Sequence, residues 1–204
     1  MNSNDNVDIS SSKFWNNCYR NNDTGWDLGG TTPIFRNWCD SLKSQKEICV
    51  PGCGNGYDVL YFANKGHRVT AIDFAKEPTR TLKKESKNSN LNIDIIVKDI
   101  FNLTPEFNNR FDYIIEYTCY CAIDPKMRNQ YINIMYDLLK PGGELVGIFL
   151  PVNKDLKDGG PPFGVQLNQT IKAFLKKFKL IESIRHPLSI VPRVDKEQFV
   201  RFIK

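Results

Sequence analysis

Short runs of β-forming residues alternate with longer stretches of helical spacing from Glu47 onward. This alternation is typical of a parallel sheet, because parallel strands must be joined by long crossover segments that usually form helices. We therefore predict an α/β fold, with a seven-stranded, mostly parallel sheet and helices on both faces. The predicted strands cover residues 47–50, 68–73, 93–98, 111–117, 144–150, 180–186 and 198–203. The predicted helices cover residues 57–65, 77–87, 125–139 and 167–178, and residues 140–143 (K-P-G-G) are predicted to stop the third of them.

The segment before the first strand divides into two parts. Residues 1–12 are polar, with neither a basic start nor an apolar core, so they predict a disordered tail rather than a secretory signal. Residues 13–204 are long enough for one core and are predicted to form a single domain. All three tryptophans, Trp15, Trp26 and Trp38, precede the first strand. We expect residues 13–40 to fold as a helical lid over the carboxyl ends of the strands, where doubly wound sheets bind ligands.

The composition limits the kinds of partner. No apolar run approaches the roughly 20 residues that span a bilayer, so no membrane partner is expected. The net charge of +5 is mild and the lysines are scattered, so no nucleic-acid partner is expected either. The six cysteines form no C-x-x-C pair and lie far from both histidines, which argues against a metal site and favours reduced thiols. We expect a cytoplasmic monomer.

The turn after the first predicted strand, P-G-C-G-N-G, contains Gly52, Gly54 and Gly56. Glycine lets the backbone approach a ligand closely, because it has no Cβ and tolerates positive φ. The G-x-G-x-G spacing differs from the G-x-G-x-x-G of enzymes that place a pyrophosphate at a helix N-terminus, and S-adenosylmethionine has no phosphate. A tight strand-to-helix connection explains the same glycines, so the turn alone does not decide between ligands.

Acidic residues end the next two predicted strands. Asp73 ends the second strand, where a carboxylate can accept both ribose hydroxyl protons. Asp99 follows the third strand, where it can accept from an adenine amino group while Ile100 offers apolar surface to the base. Turn formation and helix capping are the alternative roles of both aspartates, and Asp73 would suit a nicotinamide cofactor equally well. Together with the glycine turn, these strand ends predict one nucleoside site.

Several longer motifs carry a resemblance to a known family. The specific ones are W-N-N-C-Y-R-N-N-D-T-G-W-D (15–27), C-A-I-D-P (121–125) and G-G-P-P-F (159–163), and V-P-G-C-G-N-G-Y-D and K-P-G-G are more widespread. From about Phe14 onward, the sequence resembles the thiopurine methyltransferase family, and within it the plant-type thiol and halide (thiocyanate) methyltransferases. The resemblance implies a class I, Rossmann-like methyltransferase that uses S-adenosylmethionine, releases S-adenosylhomocysteine and needs no metal.

The resemblance also implies roles for individual residues. It places Trp15, Tyr19, Trp26, Gly52, Gly54, Asp73, Asp99, Ile100 and Tyr117 at the cofactor, and Leu150 and Phe163 in the substrate pocket. Aromatic faces suit the cofactor's sulfonium, because they attract cations by roughly 0.5–2 kcal/mol. An aromatic patch that anchors the N-terminal segment is the alternative. The sequence departs from the family in having Tyr19 where the plant-type proteins commonly have tryptophan, and Leu150 where the family has a tyrosine before Pro151.

The sequence offers no clear general base. His67 precedes the second strand and His186 lies near the terminal strands, whereas Glu116 and Asp124 flank the end of the fourth strand, with Asp124 better suited to capping. Thiols with a pKa near 8.5 and nucleophiles that are already anions need no strong base. We therefore predict methyl transfer from S-adenosylmethionine to small thiols, sulfide or thiocyanate, with halides as further candidates. The alternatives are an O- or N-directed small-molecule methyltransferase and a non-catalytic S-adenosylmethionine-binding protein.

Overall fold

The computed structural model describes residues 8–204, which form a seven-stranded sheet in the order β3-β2-β1-β4-β5-β7-β6. The strands are Glu47–Pro51 (β1), Arg68–Asp73 (β2), Ile93–Val97 (β3), Phe111–Tyr117 (β4), Leu139–Phe149 (β5), Lys179–Ile184 (β6) and Gln198–Ile203 (β7). Strands β1 to β5 pair in parallel, and β7 runs antiparallel to both of its neighbours. The strand order reverses between β1 and β4, and sheets of this kind bind ligands in the crevice at that point.

Helices cover both faces of the sheet. They are Ser12–Arg20 (α1), Pro33–Asp40 (α2), Tyr57–Asn64 (α3), Lys76–Asn88 (α4), Arg128–Leu138 (α5) and Leu167–Phe174 (α6). Tyr131 of α5 and Phe174 of α6 are fully buried in the core on one face, and Phe35 of α2 and Phe62 of α3 are fully buried on the other. Burying a large apolar side chain stabilises the fold by about 1.5–3 kcal/mol. None of the helices in residues 8–204 is long and apolar enough to cross a membrane.

The structure confirms the predicted fold class, and most element ends lie within a few residues of the prediction. The helix predicted over residues 125–139 opens with a 3₁₀ turn, Pro125–Met127, and becomes α-helical at Arg128. The helix predicted over residues 167–178 ends at Phe174. The chain turns there and returns Phe178 to the core, 5.7 Å from the Phe174 ring centre.

The stop predicted at residues 140–143 is a correction. These residues lie within β5, which begins at Leu139. The pairing of β5 with β4 shifts register near its start and becomes regular from Glu144. Gly142 has a φ of 77°, so the proline and glycines make an irregularity inside the strand rather than a boundary before it. The helix has already ended at Leu138.

The N-terminal segment covers the open end of the sheet only in part. Of the tail predicted over residues 1–12, residues 1–7 lie outside the described residues, whereas Ile9 accepts a 2.8 Å hydrogen bond from Trp15 Nε1. α1 and the loop that follows it lie over the carboxyl ends of the strands, but α2 packs on a sheet face. Its Trp38 is buried, edge-to-face with Tyr113 at 5.0 Å. The lid predicted over residues 13–40 therefore ends before Pro33.

Candidate functional site

A cavity of about 390 Å³ opens at the carboxyl ends of β1 to β4, beneath the N-terminal segment. Ligand pockets commonly measure about 300–1,000 Å³. Its walls come from α1, the glycine turn, the ends of β2 and β3, and the loop after β4. It brings together seven of the predicted cofactor residues: Trp15, Tyr19, Trp26, Gly52, Asp73, Asp99 and Ile100.

The glycine turn is packed between the lid and the loop after β4. Gly52 and Gly54 have φ values of 61° and 53°, a region that disfavours residues with a side chain. A Cβ at Gly52 would lie 3.0 Å from Cys119 Sγ, and one at Gly54 would lie 2.8 Å from Tyr19 Oη. Both the backbone conformation and the close approach of neighbouring side chains therefore require glycine here.

Asp73 joins the glycine turn to the start of α4. Its Oδ2 accepts from Gly54 N at 3.0 Å, and its Oδ1 accepts from Ala75 N at 2.9 Å. Burial raises the pKa of this carboxyl to about 6, although both N–H groups lower it. Each carboxylate oxygen has two acceptor positions, so one position on each oxygen remains for a ligand hydroxyl.

Asp99 forms a turn and also lines the larger cavity. Its Oδ1 accepts from Phe101 N at 2.9 Å and so caps the 3₁₀ turn Ile100–Asn102. The capping alternative is therefore confirmed, and the residue also lines the cavity beside Ile100. The structure thus brings the aspartate and the apolar surface to the same cavity, and the predicted contact with adenine stays a prediction.

The aromatic residues of the lid pack on one another above the cavity. The Trp26 ring meets Trp15 edge-to-face at 5.5 Å and Tyr19 at 5.8 Å between ring centres. Such pairs contribute about 0.5–1.5 kcal/mol beyond their buried area. Trp26 Nε1 also donates to Tyr19 Oη at 3.4 Å. The three rings thus form one continuous aromatic wall of the cavity, a packing that also fits the alternative of a patch that anchors the N-terminal segment.

The second half of the lid is pinned to the start of α3. Asn55 Nδ2 donates to Asp27 Oδ2 at 2.6 Å. Thr32 donates its backbone N–H to Asp58 Oδ1 at 2.8 Å and its hydroxyl to Asp58 Oδ2 at 3.0 Å. Burial raises the pKa of Asp58 to about 6, against the opposing effect of both Thr32 hydrogen bonds. These bonds fix the loop that closes the cavity.

A smaller cavity of about 80 Å³ adjoins the first and shares Gly52 and the lid rings Tyr19 and Trp26 with it. The other two predicted cofactor residues, Gly54 and Tyr117, line this smaller cavity. The Tyr117 hydroxyl is buried and has no hydrogen-bond partner within residues 8–204. A buried polar group without a partner is costly, so a ligand atom that pairs with this hydroxyl would be favoured.

The two predicted substrate-pocket residues, Leu150 and Phe163, line neither cavity. Leu150 is 5% exposed and belongs to the core. Phe163 N donates to Cys121 O at 2.7 Å, and its neighbour Gly164 accepts from the Arg128 guanidinium at 3.1 Å. The G-G-P-P-F segment thus contacts the loop after β4 through Phe163, which itself lines neither cavity. A sequence motif does not distinguish a cavity wall from the layer that supports it.

Thr118, Cys119 and Arg193 are among the residues of the site that were not predicted. Thr118 and Cys119 line the larger cavity directly after β4, so the position of a strand end could have identified them. Arg193 donates to Trp26 O at 3.0 Å, and its guanidinium carbon lies 5.7 Å from the Tyr117 ring centre. It comes from the irregular segment between β6 and β7, which carries no periodic signal.

The candidate bases are not at the cavities, except for Asp124. Asp124 lines the larger cavity, but its Oδ1 accepts from Lys126 N at 2.8 Å and caps the 3₁₀ turn, as expected. Glu116 is 1% exposed and lines neither cavity, and the same holds for His67 and His186. Within residues 8–204, no His, Lys, Arg or Glu side chain lines either cavity.

The cysteines near the site are free thiols. Cys119 and Cys121 are buried in the loop after β4, and burial raises the pKa of both. In the part of the chain that the structure describes, no group of three His, Cys, Asp or Glu residues is placed to hold a metal ion.

Comparisons with known sequences give a consistent family. The family model described as thiopurine S-methyltransferase matches residues 10–200. A probable thiol methyltransferase 2 of Arabidopsis thaliana is 34% identical over 200 residues, covering 96% of this chain and 86% of that protein. Thiocyanate methyltransferase 1 of Brassica oleracea is 32% identical over 197 residues, covering 93% of this chain and 84% of that protein.

A solved structure supports the fold independently of close sequence similarity. The 1,6-didemethyltoxoflavin N1-methyltransferase of Burkholderia thailandensis, solved with its substrate and S-adenosylhomocysteine, superposes with a TM-score of 0.75. The match covers 100% of this chain and 91% of that one at 18% sequence identity. At this identity the likeness shows the class I methyltransferase fold and nothing about the acceptor.

Proposed function

The chain belongs to the thiopurine S-methyltransferase family of S-adenosylmethionine-dependent methyltransferases, and from this premise we propose that its acceptors are small soft nucleophiles: thiols, sulfide, thiocyanate and halides. The single observation that carries the proposal is that, within residues 8–204, the ionisable acids and bases of both cavity walls are limited to aspartates, cysteines and tyrosines, without His, Lys, Arg or Glu. Each of these aspartates already accepts a backbone hydrogen bond: Asp27, Asp58, Asp73, Asp99 and Asp124. A site without such a base favours acceptors that are anionic already or that ionise near neutral pH. The names of the plant relatives support the same acceptor class.

The residues around the larger cavity fit the cofactor. Bound S-adenosylmethionine supplies a methyl group on a sulfonium cation. Asp73 has two free acceptor positions for ribose hydroxyls, and Asp99 and Ile100 lie where adenine would bind. The backbone of the glycine turn lies against the lid, where a Cβ would clash with Tyr19. The same residues therefore provide the polar and apolar contacts that an adenosine group requires.

The acceptor would bind where the two cavities meet. Both cavities share Gly52, Trp26 and Thr118, and the partnerless Tyr117 hydroxyl lines the smaller one. Arg193 brings a positive charge to the Tyr117 ring. A hydroxyl donor beside a cation favours an anionic acceptor, and the aromatic lid would exclude water from the displacement. In this arrangement the chain's contribution to the rate is positioning in a dry site.

The test measures transfer of labelled methyl groups to sulfide, small thiols, thiocyanate, iodide and thiopurines at pH 6 to 9. We expect kcat/KM for thiocyanate and iodide to change little above pH 7. The value for a thiol should rise with ionisation of its own sulfur, with a midpoint near its pKa of about 8.5. A pH profile that is the same for all thiols, whatever their pKa values, would indicate a base on the protein and contradict the proposal.

Asp73→Asn serves as the site variant in the same assay. Hydrogen bonds to charged groups contribute about 1.5–3 kcal/mol, so we expect the dissociation constant for S-adenosylmethionine to rise about 10- to 100-fold. Asp94→Asn is the matched control, because Asp94 is exposed on β3 and pairs with the exposed Arg110, away from both cavities. Cofactor binding without methylation of any acceptor would support a non-catalytic binding protein. Methylation of alcohols or amines alone would support the O- or N-directed alternative.

A further inference from the structure

Glu116 is a buried acid that the proposed chemistry does not use. It is 1% exposed near the end of β4 and lines neither cavity. Its cross-strand partner on β5 is Gly147, where an added Cβ would lie 3.2 Å from Glu116 Cβ. Because glycine has no Cβ, Gly147 leaves room for the Glu116 side chain beside it. The carboxyl group therefore packs between the sheet and α5.

Both carboxylate oxygens of Glu116 have defined donors. Oε1 accepts from Tyr120 N at 2.8 Å. Oε2 accepts a very short hydrogen bond from the hydroxyl of Tyr131, which is fully buried on α5. Because Glu116 also lines neither cavity, its carboxylate cannot reach the proton of a substrate bound there. Glu116 is thus not the base that its place in the sequence suggested.

The loop that donates to Glu116 begins with a strained backbone position, and its first residues form part of a cavity wall. Thr118 has a φ of 62°, a conformation that β-branched residues disfavour and that persists only where the surroundings impose it. Thr118 and Cys119 line the larger cavity, and Cys119 packs against Gly52. The hydrogen bond from Tyr120 N to Glu116 comes two residues after the strained position. The carboxylate therefore lies where it can stabilise the turn.

We propose that Glu116 is a positioning residue for methyl transfer, which holds Thr118 and Cys119 against the glycine turn by accepting hydrogen bonds from the loop after β4 and from Tyr131. The inference rests on the proposed function, because it concerns the wall next to the place where the methyl group would be transferred. The hydrogen bonds that hold Asp73 and Asp99 come from Gly54, Ala75 and Phe101, all outside this loop. Loosening the loop should therefore lower kcat far more than it weakens cofactor binding.

The hydrogen bonds that hold this loop depend on pH, because they depend on the ionisation of Glu116. Burial raises the pKa of its carboxyl to about 7, while hydrogen bonds from Tyr120, Tyr131 and Cys119 lower it and the Arg128 guanidinium lowers it further. Arg128 and Tyr131 face it from α5, Cys119 and Cys121 from the loop, and Gly147 of β5 adds no titratable group. Protonation turns one oxygen into a donor, so the ionised form is the one that accepts all of these hydrogen bonds.

The test compares Glu116→Gln with the native protein over pH 5.5 to 8.5, using the best acceptor found. At pH 8 we expect kcat of E116Q to fall by about 10- to 100-fold, because small displacements of a positioned group have effects of that size. KM for S-adenosylmethionine should stay within about threefold. The native kcat should fall as pH decreases through about 7, and the variant should lack this inflection. An E116Q profile that keeps the native inflection would overturn the proposal.

Tyr131→Phe and Glu144→Gln sharpen the comparison. Y131F removes a donor to the charged form, so it should move the native inflection to higher pH, which a purely structural loss would not do. E144Q also neutralises a glutamate of the sheet, but Glu144 lies three residues before Gly147 in β5 and pairs with Arg201. The pH profile of kcat for E144Q should show the same inflection as that of the native protein. An unmoved inflection in Y131F would count against the proposal.

Amide hydrogen exchange tests the same loop without requiring a methyl acceptor. Charge-assisted hydrogen bonds are about twice as strong as neutral ones, so E116Q should speed exchange in residues 118–124 by about 5- to 10-fold at pH 8. Exchange in β1 and β2 should not change. Native-like exchange in that loop would refute the inference even if no acceptor is ever methylated. Faster exchange with no methylation would support it and leave only the acceptor assignment wrong.

Discussion

Gly54 is a residue of the candidate cofactor site at which a side chain is not tolerated. Its φ of 53° excludes a side chain without strain, and a Cβ there would lie 2.8 Å from the Tyr19 hydroxyl oxygen. Its N–H is also a donor to Asp73. One backbone position therefore couples the turn, the lid and the predicted ribose acceptor.

We predict that Gly54→Ala lowers the free energy of unfolding by about 1–3 kcal/mol, because it adds backbone strain and displaces Tyr19. The dissociation constant for S-adenosylmethionine should rise as well. Gly25→Ala is the control, because nothing lies within 4 Å of a Cβ at Gly25 in the same lid. Urea unfolding and calorimetric titration of both variants check the prediction, and equal stability of G54A and G25A would show that the turn is not strained.

At this scale, sequence reasoning identified residues whose chemistry follows from a strand end. Asp73 and Asp99 were predicted because carboxyl ends of parallel strands meet at one edge of a sheet. Arg193 was missed because it lies in an irregular segment and reaches the lid from a distant part of the chain. Leu150 was assigned to the pocket by motif position, although it is buried in the core.

Among the elements, α1 depends on α4 for its place over the cavity. Asn16 is buried in α1, and its Oδ1 accepts from Glu77 N at 2.9 Å near the start of α4. Arg20 of α1 forms an ion pair with the Glu77 carboxylate at 2.7 Å. The ion pair is exposed on the arginine side and adds little, so the buried amide is the main polar link.

Asn16→Ala should destabilise the protein by about 1–2 kcal/mol, because it leaves the Glu77 N–H without its acceptor. It should also raise KM for S-adenosylmethionine, since Trp15 and Tyr19 belong to the same helix. The exposed neighbour Asn17 provides the control variant Asn17→Ala. Thermal unfolding and steady-state kinetics distinguish the two, and a native KM in N16A would mean that α1 is not positioned through this contact.

Element types were predictable because the hydrophobic periods of strands and helices are strong over β1 to β4. The ends of the elements were harder to predict where the local sequence signal and the tertiary contacts disagree. Residues 140–143 contain proline and two glycines, which locally indicate a stop, yet Gly143 O accepts from Lys204 N and the strand continues through them. Pairing with a distant segment decided the outcome there.

Within residues 8–204, burial raises the pKa values of four acids: Asp58 and Asp73 to about 6, Glu116 to about 7, and Glu197 above its usual value. In the unfolded chain such groups titrate near pH 4, so between about pH 4 and 7 the folded state binds more protons than the unfolded state. The free energy of unfolding therefore decreases as pH rises through this window. Asp112 has a lowered pKa and acts in the opposite sense at more acidic pH. Burial lowers the pKa values of His67 and His186, which offset part of the decrease near pH 6.

We predict that stability is higher at pH 5 than at pH 8, by on the order of 3 kcal/mol. Urea unfolding at pH 5, 6, 7 and 8 measures the difference. Glu116→Gln should flatten the part of the curve near pH 7 and leave the part near pH 6, where the two aspartates titrate. A curve that is flat, or that rises with pH, would contradict the burial of these ionised groups.

The strand order also has a consequence for synthesis on the ribosome. β7 is made after β6, yet it lies between β5 and β6 in the sheet. The edge of β5 therefore stays unpaired while β6 and the following segment emerge, and β6 has no sheet to join until β7 arrives. Arg193, which fastens the lid at Trp26, comes from that same late segment. A nascent chain should gain affinity for its cofactor only in this last step, so cofactor binding would report that translation has passed β7.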